Sequence, residues 1–302
     1  MYFCKKINFK AWISAARLRT LPLSVSGIIV GSSLAINHLF WKSSIFWLAI
    51  LTTVGFQVLS NFANDYGDGV KGTDHNREGE KRLVALGVIS PKQMKRGILI
   101  TAIVTMIIAI ILIYNAFGSE DFLHSLLFFI LGIASIIAAL KYTIGEHAYG
   151  YYGLGDIFVF LFFGLLSVLG SYYLFVHQLE WNLLLPASTI GLFSIAVLNL
   201  NNMRDVKNDA LHHKKTLVVS LGSSKSKVYH YILICLAMVL TMVYSVINYH
   251  SISQLTYIIA FIPLIINLVT VYKNKEPKLL DSELKKVALS TFLFALLFGF
   301  FH

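Results

Sequence analysis

The sequence predicts an all-α polytopic membrane protein, with about nine transmembrane helices around a central cavity that opens to the cytoplasm. Three observations carry that reading. First, 57% of the 302 residues are hydrophobic and only 13% are charged, with a mean hydropathy of +0.71, far from the balance of a soluble domain. Second, nine apolar stretches are long enough to cross about 30 Å of hydrocarbon as helices of roughly 20 residues. They fall at about 21–40, 44–63, 97–117, 122–140, 157–176, 183–201, 229–248, 253–272 and 286–301, leaving a single membrane domain over 1–302. Third, if these helices alternate direction, every basic loop falls on one face, and of 25 Lys and Arg only Lys42 falls on the other. Because Lys and Arg stay on the cytoplasmic side during insertion, the N-terminus is expected to be cytoplasmic.

Taken in order, the chain opens on an amphipathic segment, FKAWISAARL, expected to lie at the membrane interface. The first apolar run is full span length and lacks a small-residue cleavage site, so it reads as a retained helix rather than a signal peptide. The net charge of +10 resides in loops flanking spans, with no aromatic-interleaved surface for nucleic acid; membrane lipid and an anionic ligand account for it. Cys4 and Cys235 stand alone, offering neither a disulfide framework nor a CxxC metal site.

Two Asn/Asp clusters end long apolar spans: Asn61, Asn64, Asp65 and Asp68 in NFANDYGDGVKGTD, and Asn201, Asn202, Arg204, Asp205 and Asp209 in NLNNMRDVKNDA. Each is followed by a basic loop and an apolar turn ending in Gly: Lys81-Arg82 and LVALG to Gly87, then Lys214-Lys215 and TLVVSLG to Gly222. This echo suggests an internal repeat over about 21–140 and 157–272. Residues at i, i+4 and i+7 or i+8 share one helical face, so Asn61, Asp65 and Asp68 align, as do Asn201, Asp205 and Asp209. Any one of them could be an ordinary helix cap or solvated loop charge. The set is another matter, because an Asp at mid-bilayer costs about 2.5–3.5 kcal/mol and four facing lipid would cost about 10 kcal/mol. They are expected to face each other across a polar cavity, with oxygen donors suited to Mg²⁺ bridging a diphosphate. Arg19, Lys71, Arg82, Arg204 and Lys214 are the expected diphosphate partners, although each also serves to set topology.

A third segment, KYTIGEHAYGYYGLGDIFVFLFFG, joins Tyr142, Thr143, Tyr149, Tyr151 and Tyr152 to Gly145, Gly150, Gly153, Gly155 and Asp156. It is expected to form a looped connection between two spans. Its tyrosines fit either an interfacial aromatic belt or a lid that stacks on an aromatic acceptor and excludes water. His147, His212 and His213 read as loop residues, and the His pair is too isolated for a zinc site.

On nine spans and in this order, the three segments resemble the UbiA superfamily of intramembrane aromatic prenyltransferases. NDYGDGVKGTD, YTIGEHAYGYYGLGD with its following FFG, and NNMRDVKNDALHHKKTLVVSLG look like the branch acting on 1,4-dihydroxy-2-naphthoate in menaquinone synthesis. The likeness runs from RLRTLPLS at Arg17 through the second cluster. It implies an integral enzyme of the bacterial cytoplasmic (inner) membrane that takes a polyprenyl diphosphate and an aromatic acid. Asn61, Asn64, Asp65, Asp68, Asn201, Asp205 and Asp209 would then hold Mg²⁺, the four Asp carrying the catalysis. Arg19, Lys71, Arg82, Lys141, Arg204 and Lys214 would bind diphosphate, and Tyr142, Tyr149 and Asp156 the acceptor. The chain departs from relatives at Gly72, where a third carboxylate is common but Asp74 stands two residues on, at Ala148 for Pro, and at His213 for Gly. Another phenolic acceptor such as 4-hydroxybenzoate stays open, as does, from another class, an ion-coupled transporter.

Overall fold

A computed structural model describes residues 9–73 and 82–301; Cys4, Lys5, Lys6, Asp74, Arg77 and Lys81 lie outside the described residues. The elements run α1 (Phe9–Ala16), α2 (Leu21–Ile36), α3 (Ser44–Lys71), α4 (Pro91–Phe117) and α5 (Phe122–Lys141), then α6 (Gly155–Val176), α7 (Leu184–Leu211), α8 (Leu217–Ile247), α9 (Phe261–Lys273) and α10 (Leu280–Phe301). Among the described residues there is no strand, and nine helices are long and apolar enough to span a membrane. All nine expected spans are present, several longer than their apolar core. α3 continues to Lys71 and α7 to Leu211, so both Asn/Asp clusters sit in the last turns of helices.

Local chemistry sets the helix ends. Ser43 caps α3 through its hydroxyl on Ile45 N at 3.2 Å. Gly72, at φ +75°, ends that helix by returning its N–H to Asp68 O, a left-handed stop that suits glycine. α4 opens on a reciprocal capping box, in which Ser90 accepts from Gln93 N at 3.2 Å and Ser90 N donates to Gln93 Oε1 at 3.0 Å. Asp121 caps α5 by accepting from His124 N at 3.4 Å and also grips the His124 ring. That ring contact holds the Asp121 carboxyl below its ordinary range.

The packing has two sides. α4 and α5 pack on α3, while α8 and α10 pack on α7, and α2 joins the halves by touching α3, α6 and α10. α7 is the most enclosed span and α5 the least. Leu99, Ile100, Ile103 and Ile107 of α4 point outward, as residues facing lipid would. α1 lies against the α3–α4 pair: Ala11, Ala15 and Ala16 are buried, and Trp12 meets Phe62 edge-on at 5.3 Å.

α6 contains a π-helical stretch, Phe160–Leu166, of the kind often found beside functional sites. Within it Gly164 crosses Gly191 of α7 so closely that a Cβ on Gly164 would lie 2.7 Å from Gly191 Cα and 2.8 Å from Ala187 O. Backbone contact of this sort is how membrane helices associate when the solvent is as apolar as their side chains. Gly164→Val is therefore expected to destabilise the protein by about 1–3 kcal/mol, read as a lower unfolding midpoint in detergent; an unchanged midpoint would contradict the close crossing.

Candidate active site

A cavity of about 380 Å³ runs inside the bundle between α2, α3, α4, α5 and α6. Its two ends differ in chemistry. At one end lie Arg17, Gln57, Asn61, Asn64, Asp68, Arg82, Asn201 and Lys214; the rest of the wall is mainly apolar, from Phe56 and Ala49 of α3 to Phe158 and Leu174 of α6. Such a hollow matches a ligand with an anionic head and a long hydrocarbon body.

The polar end is built on the last turns of α3. Asn61 is fixed by its amide, which donates to Ala16 O at 2.8 Å and to Thr20 Oγ1 at 3.2 Å, tying α3 to the start of α2. Asn64 accepts from Thr143 Oγ1 at 3.2 Å, and Thr143 is itself fully buried. Asp68 accepts from Tyr151 OH at 2.8 Å on one oxygen and faces Arg82 Nη2 at 3.5 Å with the other. Both partners of this ion pair are buried, so neither charge is stable there alone. Asp65, one turn back, accepts the backbone N–H groups of Leu83 at 3.1 Å and Val84 at 3.0 Å. It thereby holds the segment that carries Arg82.

The second cluster is tied down in a parallel way. Asp205 receives Arg204 on both oxygens at 2.8 Å, and Arg204 also reaches Asn201 Oδ1 at 2.8 Å and Asp281 at 2.5 Å. Lys214 stands 3.7 Å from Asp209, echoing the Arg82–Asp68 pair of the first cluster. Asn208 donates to Thr73 O at 2.9 Å and so joins the end of α7 to the end of α3.

The central segment covers this end as a loop with one 3₁₀ turn at Tyr149–Tyr151. Lys71 sits over the Tyr151 ring at 4.0 Å and Lys214 at 5.5 Å, cation–π contacts that hold two bases beside Asp68. Tyr149 stacks on Phe158 at 3.8 Å and meets Tyr142 edge-on at 5.3 Å, so the two tyrosines form an aromatic wall of the cavity. Burial raises the Tyr149 phenol well above its ordinary pKa, so it remains protonated and donates to Ala138 O at 2.9 Å.

The structure thus places Asn61, Asn64, Asp68, Arg82, Asn201, Lys214, Tyr142 and Tyr149 on one cavity. Asp65, Lys71, Asp205 and Arg204 brace it from behind, and Asp209 pairs with Lys214 beside it. Asp156 is buried and accepts from Tyr229 OH at 3.2 Å, outside the lining. Lys141 is exposed, and Arg19 lies 3.6 Å from Asp281; neither lines the cavity. Arg17 does, two residues before Arg19, at a left-handed break (φ 50°) between α1 and α2. Gln57 is a second addition, signalled by its place one turn before Asn61 on the shared face. Asp281 is a third, remote in sequence and carrying no signal of its own.

Among the described residues no three acidic, His or Cys side chains converge as a ready metal cage. The expected clamp of four carboxylates is instead interleaved with Arg82, Arg204 and Lys214, because clustered like charges need cations between them. The donors at the polar end nonetheless fit Mg²⁺: carboxylate and amide oxygens of Asp68, Asn61, Asn64 and Asn201 are hard ligands, with no sulfur or imidazole among them.

Comparison with known proteins agrees with this geometry. The model of the UbiA prenyltransferase family matches residues 24–298. Over 300 residues the chain is 40% identical to the 1,4-dihydroxy-2-naphthoate octaprenyltransferase of Haemophilus influenzae, covering 98% of this chain and 97% of that protein. It is 40% identical over 293 residues to the Escherichia coli enzyme of the same name, covering 95% and 94%. Among solved structures, a UbiA homolog from Aeropyrum pernix superposes with a TM-score of 0.69 at 14% identity, covering 91% of this chain and 97% of that one. A UbiA homolog from Archaeoglobus fulgidus bound to GPP and Mg²⁺ gives 0.64 at 14% identity, covering 95% and 99%. Sequence along nearly the whole chain, the nine-span fold and the amphipathic cavity agree, and the chain belongs to the UbiA prenyltransferase family.

Proposed function

We propose that the chain transfers a polyprenyl group from polyprenyl diphosphate to 1,4-dihydroxy-2-naphthoate, releasing diphosphate and CO₂. The observation that carries this reading is a cavity with a carboxylate, amides and bases at one end and mainly hydrocarbon along the rest. The 40% identity to naphthoate octaprenyltransferases over nearly full length supports the choice of acceptor over another phenolic acid.

In this reading the diphosphate sits at the polar end. Arg82 and Lys214 neutralise its oxygens, while Asp68, Asn61, Asn64 and Asn201 would hold Mg²⁺, with Asp65, Asp205 and Asp209 fixing the elements that carry them. A bound Mg²⁺ would supply charge stabilisation for the departing diphosphate. The allylic C–O bond breaks with its electron pair leaving on the diphosphate, and Tyr142, Tyr149 and Phe158 keep water from the allylic cation. The electron-rich naphthoate ring attacks, and loss of CO₂ restores its aromaticity. No nucleophilic side chain is required.

The matched pairs Arg82–Asp68 and Lys214–Asp209 support the internal repeat, each half contributing one acid–base arm to the same ligand. The one-sided basic loops support a cytoplasmic N-terminus. Nine spans then leave the C-terminus outside, so a C-terminal alkaline phosphatase fusion is expected to be active and a fusion after Lys141 inactive; the reverse pattern would invert the topology.

Purified protein in detergent with octaprenyl diphosphate, 1,4-dihydroxy-2-naphthoate and Mg²⁺ is expected to release CO₂, whereas 4-hydroxybenzoate supports little transfer. Equal turnover of both acids would overturn the acceptor assignment. EDTA is expected to stop transfer and excess Mg²⁺ to restore it. Asp68→Ala is expected to lower kcat/KM by at least about a thousandfold, corresponding to about 4 kcal/mol, with the protein still folded. Near-normal turnover in that variant would remove Asp68 from the site.

A further inference from the structure

We infer that Gly170, facing Phe128 in the deep half of the cavity, sets how long a prenyl chain the enzyme accepts. The inference rests on the function proposed above and concerns the far end of the same cavity. From Asp68 to Ala49, both on its wall, α3 runs about 28 Å at 1.5 Å per residue, so the hollow extends well past the diphosphate end into the membrane interior.

The helix-interior glycines divide into two kinds. At Gly27, Gly31, Gly55, Gly67 and Gly164 an added Cβ would collide with a neighbouring helix or loop, so the missing side chain permits close packing. At Gly132 an added Cβ would meet only the flexible end of Met106, Cε at 3.8 Å, and at Gly170 only Leu166 Cδ1 at 3.6 Å and Phe128 Cε1 at 4.0 Å, ordinary contact distances; of these two cavity-lining glycines Gly170 is the one set against a rigid ring. Its φ is not positive, so neither packing nor backbone conformation calls for glycine there. Glycine is a poor helix former at such a position, and what its absent side chain provides is width. Gly170, Leu166 and Phe128 all line the cavity. The flanking hydroxyls of Ser167 and Ser171 turn back onto their own helix, so the wall here is apolar. Phe128 is braced from behind by Phe117 at 5.1 Å and Tyr173 at 5.8 Å, which fixes one side of the gap and leaves the glycine to determine its size.

The test measures kcat/KM for octaprenyl and geranyl diphosphate with the same naphthoate acceptor. Gly170→Leu is expected to lower the octaprenyl-to-geranyl ratio by about tenfold or more, as added bulk does in an apolar pocket, and Gly170→Ala to lower it less. Adding Phe128→Ala to Gly170→Leu is expected to recover the ratio. Unfolding midpoints of all variants separate misfolding from selectivity, and Gly170→Ala still reads the shift where the Leu variant does not fold. A ratio unchanged in both Gly170 variants, or a fall that Phe128→Ala leaves unrelieved, overturns the inference. Wild-type protein that transfers neither chain would instead overturn the proposed function.

Discussion

The buried ion pair between Asp68 and Arg82 is the constraint around which the polar end of the cavity is arranged. A carboxylate and a guanidinium brought this far from water are expensive to desolvate, and removing either takes a charge partner from the other. Everything nearby serves that geometry. Asp65 holds the Leu83–Val84 backbone so that Arg82 stays in position, Tyr151 occupies the other oxygen of Asp68, and Gly72 ends α3 where the carboxylate reaches the cavity rim. An anionic head with its own cation would substitute for these internal partners, so the site is built for exchange of charge partners.

The same physics explains why the cavity has two halves. Charged and amide groups collect where α3 and α7 end, joined through Asn208 and Thr73 and covered by the tyrosine loop. Further in, an apolar lumen is stable next to lipid without any polar partner. In the proposed reaction this division would bring the leaving group and the reactive cation together beside an aromatic wall that excludes water, with the product tail among hydrocarbon.

Much of this was legible in the sequence. The nine spans follow from hydropathy alone, and the Asn/Asp faces follow from helical spacing. Span ends were harder to read: α3 and α7 run on through Asp68 and Asp209 because those charges are paired inside the protein, where a hydropathy pattern registers only polarity. Arg17 and Arg19 are indistinguishable as letters, and only the left-handed break at Arg17 turns it toward the cavity while Arg19 goes to Asp281. Asp281 and Tyr229 act from helices remote in sequence, with nothing nearby to announce them. Gly170 and Gly164 look alike in the chain, yet one leaves space for a ligand and the other for a helix.

The polar rim is proposed to hold a prenyl diphosphate through a divalent cation. Titration calorimetry with a non-reactive geranyl thiolodiphosphate, with and without Mg²⁺, tests it without relying on turnover. Saturable binding to the wild-type protein that requires Mg²⁺ and disappears in Asp68→Asn is the expected result. Binding of equal strength without the metal, or unaffected by that substitution, would contradict it.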